Sequence, residues 1–338
     1  MDSLTQIVLG ASVGEAVLGK KVGNKALLWG AIAGTIPDLD VFLNFFVTDF
    51  QAQILHRGFS HSIVFAVLGA LLFSWLHVRL FKKTKATQLD WRKFYFLTLV
   101  THPLLDCHTN YGTQLFWPFE YRVAFNNIFV ADPFYTVPFL LLVLIVAFLK
   151  RTNPWRNKLN YTALAISSAY MLVTIGSKFW ANQQFEKNFS AIPHEVINYQ
   201  TNNTPFNPVV WSGVFETDSA YYFGDVGWFD DTQLPIPFHS IKKNFPLRKQ
   251  WENHPFYRDF SFISKEFFLL HQDSAAYYFS DLRFRAMLMD EGEYPFIYTY
   301  RIPKDSLDAP PTMRSRMESR GRMNRDWQHL MLRLDGKR

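Results

Sequence analysis

The sequence contains one cysteine, Cys107, among its 338 residues. A single thiol excludes an intramolecular disulfide framework, and it also excludes a redox pair of cysteines or a metal cluster held by several thiolates. We interpret Cys107 as a small, buried apolar side chain. Any metal site in this chain is therefore expected to use nitrogen and oxygen ligands.

Basic residues are missing from the start of the chain, which begins Met1-Asp2-Ser3-Leu4-Thr5-Gln6. A secretory signal peptide would begin with a positively charged segment, so we interpret residues 1–20 as a retained transmembrane helix. Residues 181–338 lack any apolar run long enough to span a bilayer. The net charge of +6 comes without a nucleic-acid-binding motif, so no nucleic acid partner is expected.

The first 180 residues carry the long apolar runs, several of them near the ~20 residues that a transmembrane helix requires. Two glycine pairs, Gly10 with Gly14 and Gly30 with Gly34, have the small-xxx-small spacing that lets helix backbones approach closely. The pattern predicts an α-helical polytopic membrane domain over residues 1–180. It would contain about six helices, at about residues 1–20, 25–44, 61–81, 92–108, 133–150 and 158–180.

The basic residues between these helices fall in alternate loops. The loops after the first, third and fifth helices contain twelve Lys and Arg residues, whereas the other loops contain only Arg57 and Arg122. The basic side is expected to be cytoplasmic, in a multi-pass protein of the cell inner membrane. The N-terminus and everything after the sixth helix would then be extracytoplasmic. The twelve residues are Lys20, Lys21, Lys25, Lys82, Lys83, Lys85, Arg92, Lys93, Lys150, Arg151, Arg156 and Lys158.

The histidine and aspartate residues of this half gather where helices meet the non-basic side. Ionisable groups at membrane depth are costly unless they are paired, hydrated or bound to an ion, so each is a candidate for a site. Because the loop charges and the His and Asp positions are independent observations, their agreement predicts one site at the outer membrane interface. The residues are Asp2, Asp38, Asp40, His56, His61, His102, Asp106, His108 and Asp132.

Residues 181–338 are predicted to form an extracytoplasmic α+β domain with an antiparallel sheet. Two hairpins are expected, one joining residues 209–217 to 220–228 and one joining 275–285 to 294–302, because these segments are rich in aromatic and β-branched residues with local alternation. Residues 260–272 are expected to form a helix. The basic tail, residues 314–338, is interpreted as a helix that faces solvent or lipid headgroups.

His102 and Asp106 form the first candidate ligand motif, at the end of an apolar run. Positions i and i+4 share a helix face, so both side chains could reach one metal ion. Pro103 disfavours α geometry at His102, and we expect it to kink or restart the helix there.

Two further motifs supply candidate ligands. Asp38 and Asp40 form a D-x-D pair beside a proline, a weak signal that a helix cap or an Asx turn explains equally well. His56 and His61 are separated by a turn that contains Gly58, and they could converge on a metal. The alternative for this pair is that the two histidines cap a helix at headgroup level.

Nitrogen and oxygen ligands without thiolate suit Zn²⁺, Mn²⁺ or Fe²⁺, and we favour zinc. A bound divalent ion would lower the pKa of water towards ~7, so hydrolysis is the expected chemistry. Asp38 and Arg57 are the candidate catalytic residues. Arg57 would hold an anionic group such as a phosphate, or alternatively would anchor to lipid headgroups. The candidate metal ligands are Asp2, Asp40, His56, His61, His102 and Asp106.

These motifs follow one another in a fixed order along the first half of the chain. They are Met1-Asp2 with Thr5, Pro37-Asp38-Leu39-Asp40, His56-Arg57-Gly58 with Ser60-His61-Ser62, and His102 with Asp106, Thr109 and Gly112. Over about residues 1–180 they resemble a bacterial inner-membrane family, the YdjM/YbcI group, whose members are described as membrane-bound metal-dependent hydrolases. The family commonly has His where this chain has Gln6, so Asp2 becomes the better ligand candidate from the first helix.

A shorter similarity links the order Asp40, then His56 or His61, then His102 with Asp106 to zinc-dependent phospholipase C and the related single-strand-specific nucleases. It implies a phosphoester substrate, with lipid phosphoesters among the candidates. The sequence therefore predicts an integral-membrane metal-dependent hydrolase that acts on a lipid, phosphoester or envelope-derived substrate, with membrane lipids around it. The alternative is a metal-binding scaffold or transporter, although a transport path needs polar residues on both faces.

Overall fold

A computed structural model of the chain describes residues 1–82, 84–284, 296–307, 309–313, 327–328 and 330–334. The chain divides into two compact units. The first contains Met1–Phe46, Leu55–Ile175 and Pro205–Asn207, and the second contains Val47–Ile54, Gly176–Thr204 and Pro208–Arg338.

Several helices begin at residues whose side chains satisfy free backbone N–H groups. The Asp2 carboxylate accepts a hydrogen bond from the Thr5 backbone N–H at 3.1 Å, which starts α1. The Ser62 hydroxyl does the same for α4, and Thr87 forms a capping box with Asp90 at the start of α5. The α-helices are α1 (Ser3–Val22), α2 (Asn24–Thr35), α3 (Asp49–Leu55), α4 (Ile63–Leu80), α5 (Gln88–Asp106), α6 (Pro133–Phe148), α7 (Pro154–Lys187), α8 (Phe245–Trp251) and α9 (Pro255–Ser264).

Glycines allow α1 and α2 to pack with their backbones in contact. A Cβ atom added at Gly10 would lie 2.3 Å from the carbonyl oxygen of Gly30, and one added at Gly30 would lie 2.2 Å from the carbonyl oxygen of Gly10. A Cβ at Gly34 would lie 2.7 Å from the carbonyl oxygen of Gln6. No side chain fits at these positions, and the predicted close approach of the small residues is confirmed.

Two helices of the described residues, α4 and α7, are long and apolar enough to cross a membrane. A third candidate span combines α2 with the 3₁₀ helix Pro37–Phe45, which meet at a bend of 46°. The single helix expected at residues 25–44 is therefore broken, because Pro37 cannot donate the hydrogen bond that would continue it. The other helix bounds agree with the sequence to within a few residues, except that α7 extends to Lys187. The count of six transmembrane helices stays a prediction.

The second unit contains two antiparallel sheets, ordered β1-β2-β3-β4 and β5-β6-β7-β8. Pairing of β2 with β3 and of β6 with β7 confirms both predicted hairpin pairings. The strands are β1 (Asn198–Asn203), β2 (Val210–Glu216), β3 (Ala220–Gly227), β4 (His239–Lys242), β5 (Phe268–Gln272), β6 (Ala276–Asp281), β7 (Thr299–Pro303) and β8 (Thr312–Met313).

The helix predicted at residues 260–272 is wrong, because α9 ends at Ser264 and β5 follows it. Lys265 and Glu266 have φ angles of 54° and 67°, and this left-handed pair ends the helix and turns the chain into the strand. Local alternation over five residues was too short a signal to separate strand from helix. The helix predicted in the basic tail lies largely outside the described residues.

Aromatic side chains form the core around the second sheet. The ring centroid of Phe50, in α3, lies 4.4 Å from that of Phe256 and 5.2 Å from that of Tyr300. Phe260 and Phe279 pack in the same buried cluster. The segment Val47–Ile54 therefore belongs to this core, although in sequence it lies between Asp40 and His56.

Candidate metal centre

The break between α2 and the 3₁₀ helix Pro37–Phe45 exposes a backbone acceptor and introduces Asp38. In a continuous α-helix the Gly34 carbonyl would accept a hydrogen bond from the Asp38 backbone N–H, but α2 ends at Thr35 and a 3₁₀ helix begins at Pro37. The Gly34 oxygen instead accepts a hydrogen bond of 2.6 Å from Nδ1 of His102. The break in the helix therefore contributes to the site by providing a carbonyl that fixes a histidine ring.

His61 follows a turn with an uncommon backbone conformation. Arg57 has a φ of 60°, which few residues other than glycine adopt. Asp40 holds the turn, since its Oδ2 accepts hydrogen bonds from the Arg57 backbone N–H (3.1 Å) and the Ser60 hydroxyl (2.9 Å). His61 ends the short 3₁₀ helix Phe59–His61 and is fully buried.

His102 and Asp106 lie on one face at the end of α5. The helix runs from Gln88 to Asp106 with Pro103 inside it, so the expected restart at His102 does not occur. Nε2 of His102 and Oδ2 of Asp106 are 3.4 Å apart, as the i, i+4 spacing predicts. Both side chains are 1% exposed, so neither is an ordinary surface group.

Four side chains converge on one point, where they could hold a metal ion: Asp38, His61, His102 and Asp106. Oδ1 of Asp38 lies 3.2 Å from Nε2 of His61 and 3.3 Å from Nε2 of His102. Oδ2 of Asp106 lies 3.3 Å and 3.4 Å from the same two nitrogens, which are 3.2 Å from each other. These five separations, of 3.2–3.4 Å, match the ~3.3 Å expected between neighbouring ligands of a tetrahedral zinc ion with bonds of ~2.0 Å to imidazole and carboxylate.

The hydrogen bonds around these atoms favour a cation at the centre. Nδ1 of His102 donates to Gly34, so its Nε2 presents a lone pair. Nδ1 of His61 lies 2.9 Å from the Ser60 hydroxyl and 3.4 Å from Oδ2 of Asp40, which directs its Nε2 to the cluster as well. Oδ2 of Asp106 is buried without a hydrogen-bond partner. Buried lone pairs that face one another are unfavourable unless a metal ion or a shared proton lies between them, so the residues fit a bound divalent ion.

Gln6 and the start of the chain hold the second oxygen of Asp106. Nε2 of Gln6 donates to Oδ1 of Asp106 at 3.0 Å and to the His102 carbonyl at 3.2 Å. The α-amino group of Met1 also contacts Oδ1 of Asp106. Gln6 therefore positions a carboxylate, a role that sequence reasoning missed although it noted the unusual amide at this position.

Three of the candidate ligands lie outside the four-residue cluster. Oδ1 of Asp40 pairs with Nδ1 of His56 at 2.9 Å, so these two residues support the turn that carries His61. Asp2 caps α1, and its second oxygen accepts a hydrogen bond of 2.5 Å from the Thr5 hydroxyl. Asp38, proposed from sequence as catalytic, lies inside the cluster.

Other polar residues of the predicted outer face have structural partners. Nδ1 of His108 lies 2.8 Å from Oδ1 of Asn127. Asp132 caps α6 and accepts a hydrogen bond of 2.8 Å from the Tyr170 hydroxyl. These two residues therefore lie apart from the ligand cluster.

Sequence reasoning also missed Tyr111 and Arg122, which lie beside Arg57. The Arg57 guanidinium carbon is 5.3 Å from the centroid of the Tyr111 ring, and that of Arg122 is 5.1 Å from the same centroid. The connection between α5 and α6 that carries Tyr111 and Arg122 has no motif that would have marked them.

The model of the YdjM inner membrane protein family matches residues 1–181 of the chain. A similar protein is the uncharacterized protein YfhP of Bacillus subtilis, which is 26% identical over 326 residues, 90% of this chain and 92% of the relative. The inner membrane protein YbcI of Escherichia coli is 30% identical over 114 residues, 34% of this chain and 64% of the relative. No solved structure matches the chain. The family match covers all four residues of the cluster.

Proposed function

The chain belongs to the YdjM inner membrane protein family, and from this premise we propose that it is an integral-membrane, metal-dependent hydrolase. Asp38, His61, His102 and Asp106 would hold one divalent ion, with zinc the best fit to two imidazoles and two carboxylates. The substrate would be a lipid or another component of the cell envelope.

One observation carries the proposal: four buried or half-buried ligand atoms lie within 4.8 Å of one another, and Oδ2 of Asp106 has no hydrogen-bond partner. A divalent ion bound there would supply hydroxide at neutral pH by lowering the pKa of water. Asp38 is the most exposed of the four side chains, at 23%, whereas the other three are at most 1% exposed. Substrate would therefore approach on the Asp38 side.

Residues around the cluster would keep the ligands in place. His102 is oriented by the Gly34 carbonyl, His61 by Ser60 and Asp40, and Asp106 by Gln6. Partners of this kind fix which ring nitrogen carries the proton and raise the affinity of the metal site. In this proposal Asp38 is a metal ligand, and Asp40, paired with His56, orients His61 and its turn without touching the ion.

The site would lie at the outer face of the inner membrane. Twelve basic residues in one set of loops against two in the other support this orientation, and the family name supports the inner membrane. Reporter fusions after Lys85 and after Lys150 should report a cytoplasmic location, and a fusion at the C-terminus an external one. An external signal at Lys85 would reverse the orientation.

The experiment that tests hydrolysis uses the full chain, purified in detergent and loaded with zinc. Wild-type protein and a His102→Ala variant are compared on a panel of lipid phosphoesters and carboxylic esters. We expect turnover in the wild type and a loss of roughly a hundredfold or more in the variant, because the ligand shell is incomplete. His108→Ala is the matched control, since His108 lies outside the cluster. Tightly bound metal without turnover of any ester would instead support a metal-binding scaffold.

A further inference from the structure

Arg57 places a buried positive charge next to the ligand cluster. Its side chain is 6% exposed, and its Nε lies 3.5 Å from Oδ2 of Asp106. Nη1 donates a hydrogen bond of 2.7 Å to the hydroxyl of Thr109, which in turn donates to the Asp106 carbonyl at 2.8 Å. The guanidinium is therefore held in contact with Asp106, one of the proposed metal ligands. Arg57 itself has the positive φ of the turn.

Two of the three guanidinium nitrogens of Arg57 form no hydrogen bond to the described residues. Nε is buried, and its ion pair with Oδ2 of Asp106, at 3.5 Å, is too long and poorly aligned to count as a hydrogen bond. Nη2 forms no hydrogen bond to the part of the chain that the structure describes. An arginine held this firmly by one nitrogen leaves an ordered pair of donors for a ligand, with the fork geometry that matches phosphate oxygens.

Arg122 brings a second guanidinium to the same place. It lies over the Tyr111 ring, as Arg57 does, and its Nη2 donates a hydrogen bond of 3.2 Å to the carbonyl of His56. Its side chain is buried, with 4% of the residue exposed. The aromatic ring thus holds both arginines near the turn that carries the ligand His61.

The charges change when the cluster is loaded. A divalent ion would be neutralised by the two ligand carboxylates, Asp38 and Asp106. Arg57 would then share Asp106 with the ion and lose part of its counter-charge. An anion bound beside the Arg57 guanidinium would restore that counter-charge. A phosphate group has enough oxygens to contact Arg57 and the ion together, which a carboxylate with two oxygens does less well.

We propose that the Arg57, Tyr111 and Arg122 group is the phosphate-binding part of the substrate site, so that the substrate is a phosphoester. The phosphate oxygens would accept hydrogen bonds from Nε and Nη2 of Arg57, and Arg122, which contacts the same Tyr111 ring, would add its charge. This substrate class rests on the proposed hydrolase function, but the binding of phosphate can be measured without turnover.

The test measures phosphate binding to the zinc-loaded full chain in detergent by isothermal titration calorimetry. One arm uses inorganic phosphate, and the other uses a short-chain phosphatidic acid, so that free phosphate and a lipid headgroup are distinguished. We expect binding to wild-type protein and at least about tenfold weaker binding to Arg57→Gln, with the zinc content unchanged. Arg79→Gln is the control, because Arg79 is exposed and lies over Trp75.

Arg57→Lys covers the case in which Arg57→Gln fails to fold. Lysine keeps the positive charge near Asp106 but lacks the planar pair of donors, so phosphate binding should again weaken about tenfold while zinc stays bound. Equal phosphate affinity in the wild type and in Arg57→Lys would overturn the proposal. Binding that depends on Arg57 without any hydrolysis would leave this inference standing and refute the hydrolase function. Hydrolysis of carboxylic esters that phosphate does not inhibit would support the hydrolase function and refute this inference.

Discussion

Segments that are neighbours in the sequence belong to two units with different chemistry. The first unit contains a cluster of His and Asp side chains, and the second contains a cluster of aromatic side chains. In the first unit, Asp38, His61, His102 and Asp106 bring together nitrogen and oxygen atoms that could hold a metal ion. In the second unit, Phe50 lies among the aromatic rings of a buried apolar cluster. The first arrangement would be stabilised by a cation, whereas the second is stabilised mainly by burial of apolar surface. Substitutions in the first unit should therefore change bound metal, and substitutions in the second should change folding.

The largest effect is expected at the histidine ligands. His61→Ala and His102→Ala should each lower bound metal by about an order of magnitude or more, because the loss of one of four ligands leaves an incomplete shell. Metal content is measured by elemental analysis of the purified full chain. His108→Ala should keep its metal. Unchanged metal in both ligand variants would favour a role for these histidines as ordinary buried hydrogen-bonding residues.

A large effect on folding is expected at Phe50. Phe50→Ala should destabilise the second unit by ~3–5 kcal/mol, because it leaves a cavity among Phe256, Phe260 and Tyr300. Thermal unfolding and limited proteolysis measure the loss. Phe46→Ala is the control, since Phe46 is 84% exposed.

Metal content sharpens this comparison. We expect the Phe50→Ala protein to keep its metal at a temperature where it is folded, because the ring contacts of Phe50 are with Phe256, Phe260 and Tyr300 and not with the four proposed metal ligands. Loss of metal from folded Phe50→Ala protein would mean that the segment Val47–Ile54 positions Asp40 and His56, and that the two regions are not independent.

The sequence predicted which motifs contribute to the four-residue cluster but not which member of each pair does so. His102 and Asp106 followed from their i, i+4 spacing alone. The choice of Asp38 over Asp40 depends on the bend after Thr35, and the choice of His61 over His56 depends on the hydrogen bonds that Asp40 makes to the turn. Both are tertiary features that no local pattern contains.

Long-range packing limited the rest of the prediction in the same way. The hairpins followed from alternation and composition, and the glycine spacing predicted the contact of α1 with α2. Phe50 was not expected in the core of the second unit, because a seven-residue helix carries too little periodicity to show which core it joins. Arg122 was noted only as a loop charge, since its contact with Tyr111 joins residues that no motif connects.

A smaller effect on stability is expected at the glycine contact between α1 and α2 in the first unit. Gly30→Ala would place a Cβ 2.2 Å from the Gly10 carbonyl, so α1 and α2 must separate, at a cost of ~1–3 kcal/mol. The thermal midpoint should fall, and metal affinity should weaken because Gly34 on the same helix holds His102. Gly176→Ala is the matched control, since no atom lies within 4 Å of its added Cβ. Equal midpoints for the two variants would show that the glycine contact does not position the site.

X-ray absorption at the metal edge of the purified wild-type chain tests the central claim most directly. The account predicts about one divalent ion per chain, surrounded only by nitrogen and oxygen at ~2.0–2.1 Å with imidazole among the ligands. A protein without a bound ion, or a coordination shell that contains sulfur, would contradict the assignment of Asp38, His61, His102 and Asp106 as a metal centre.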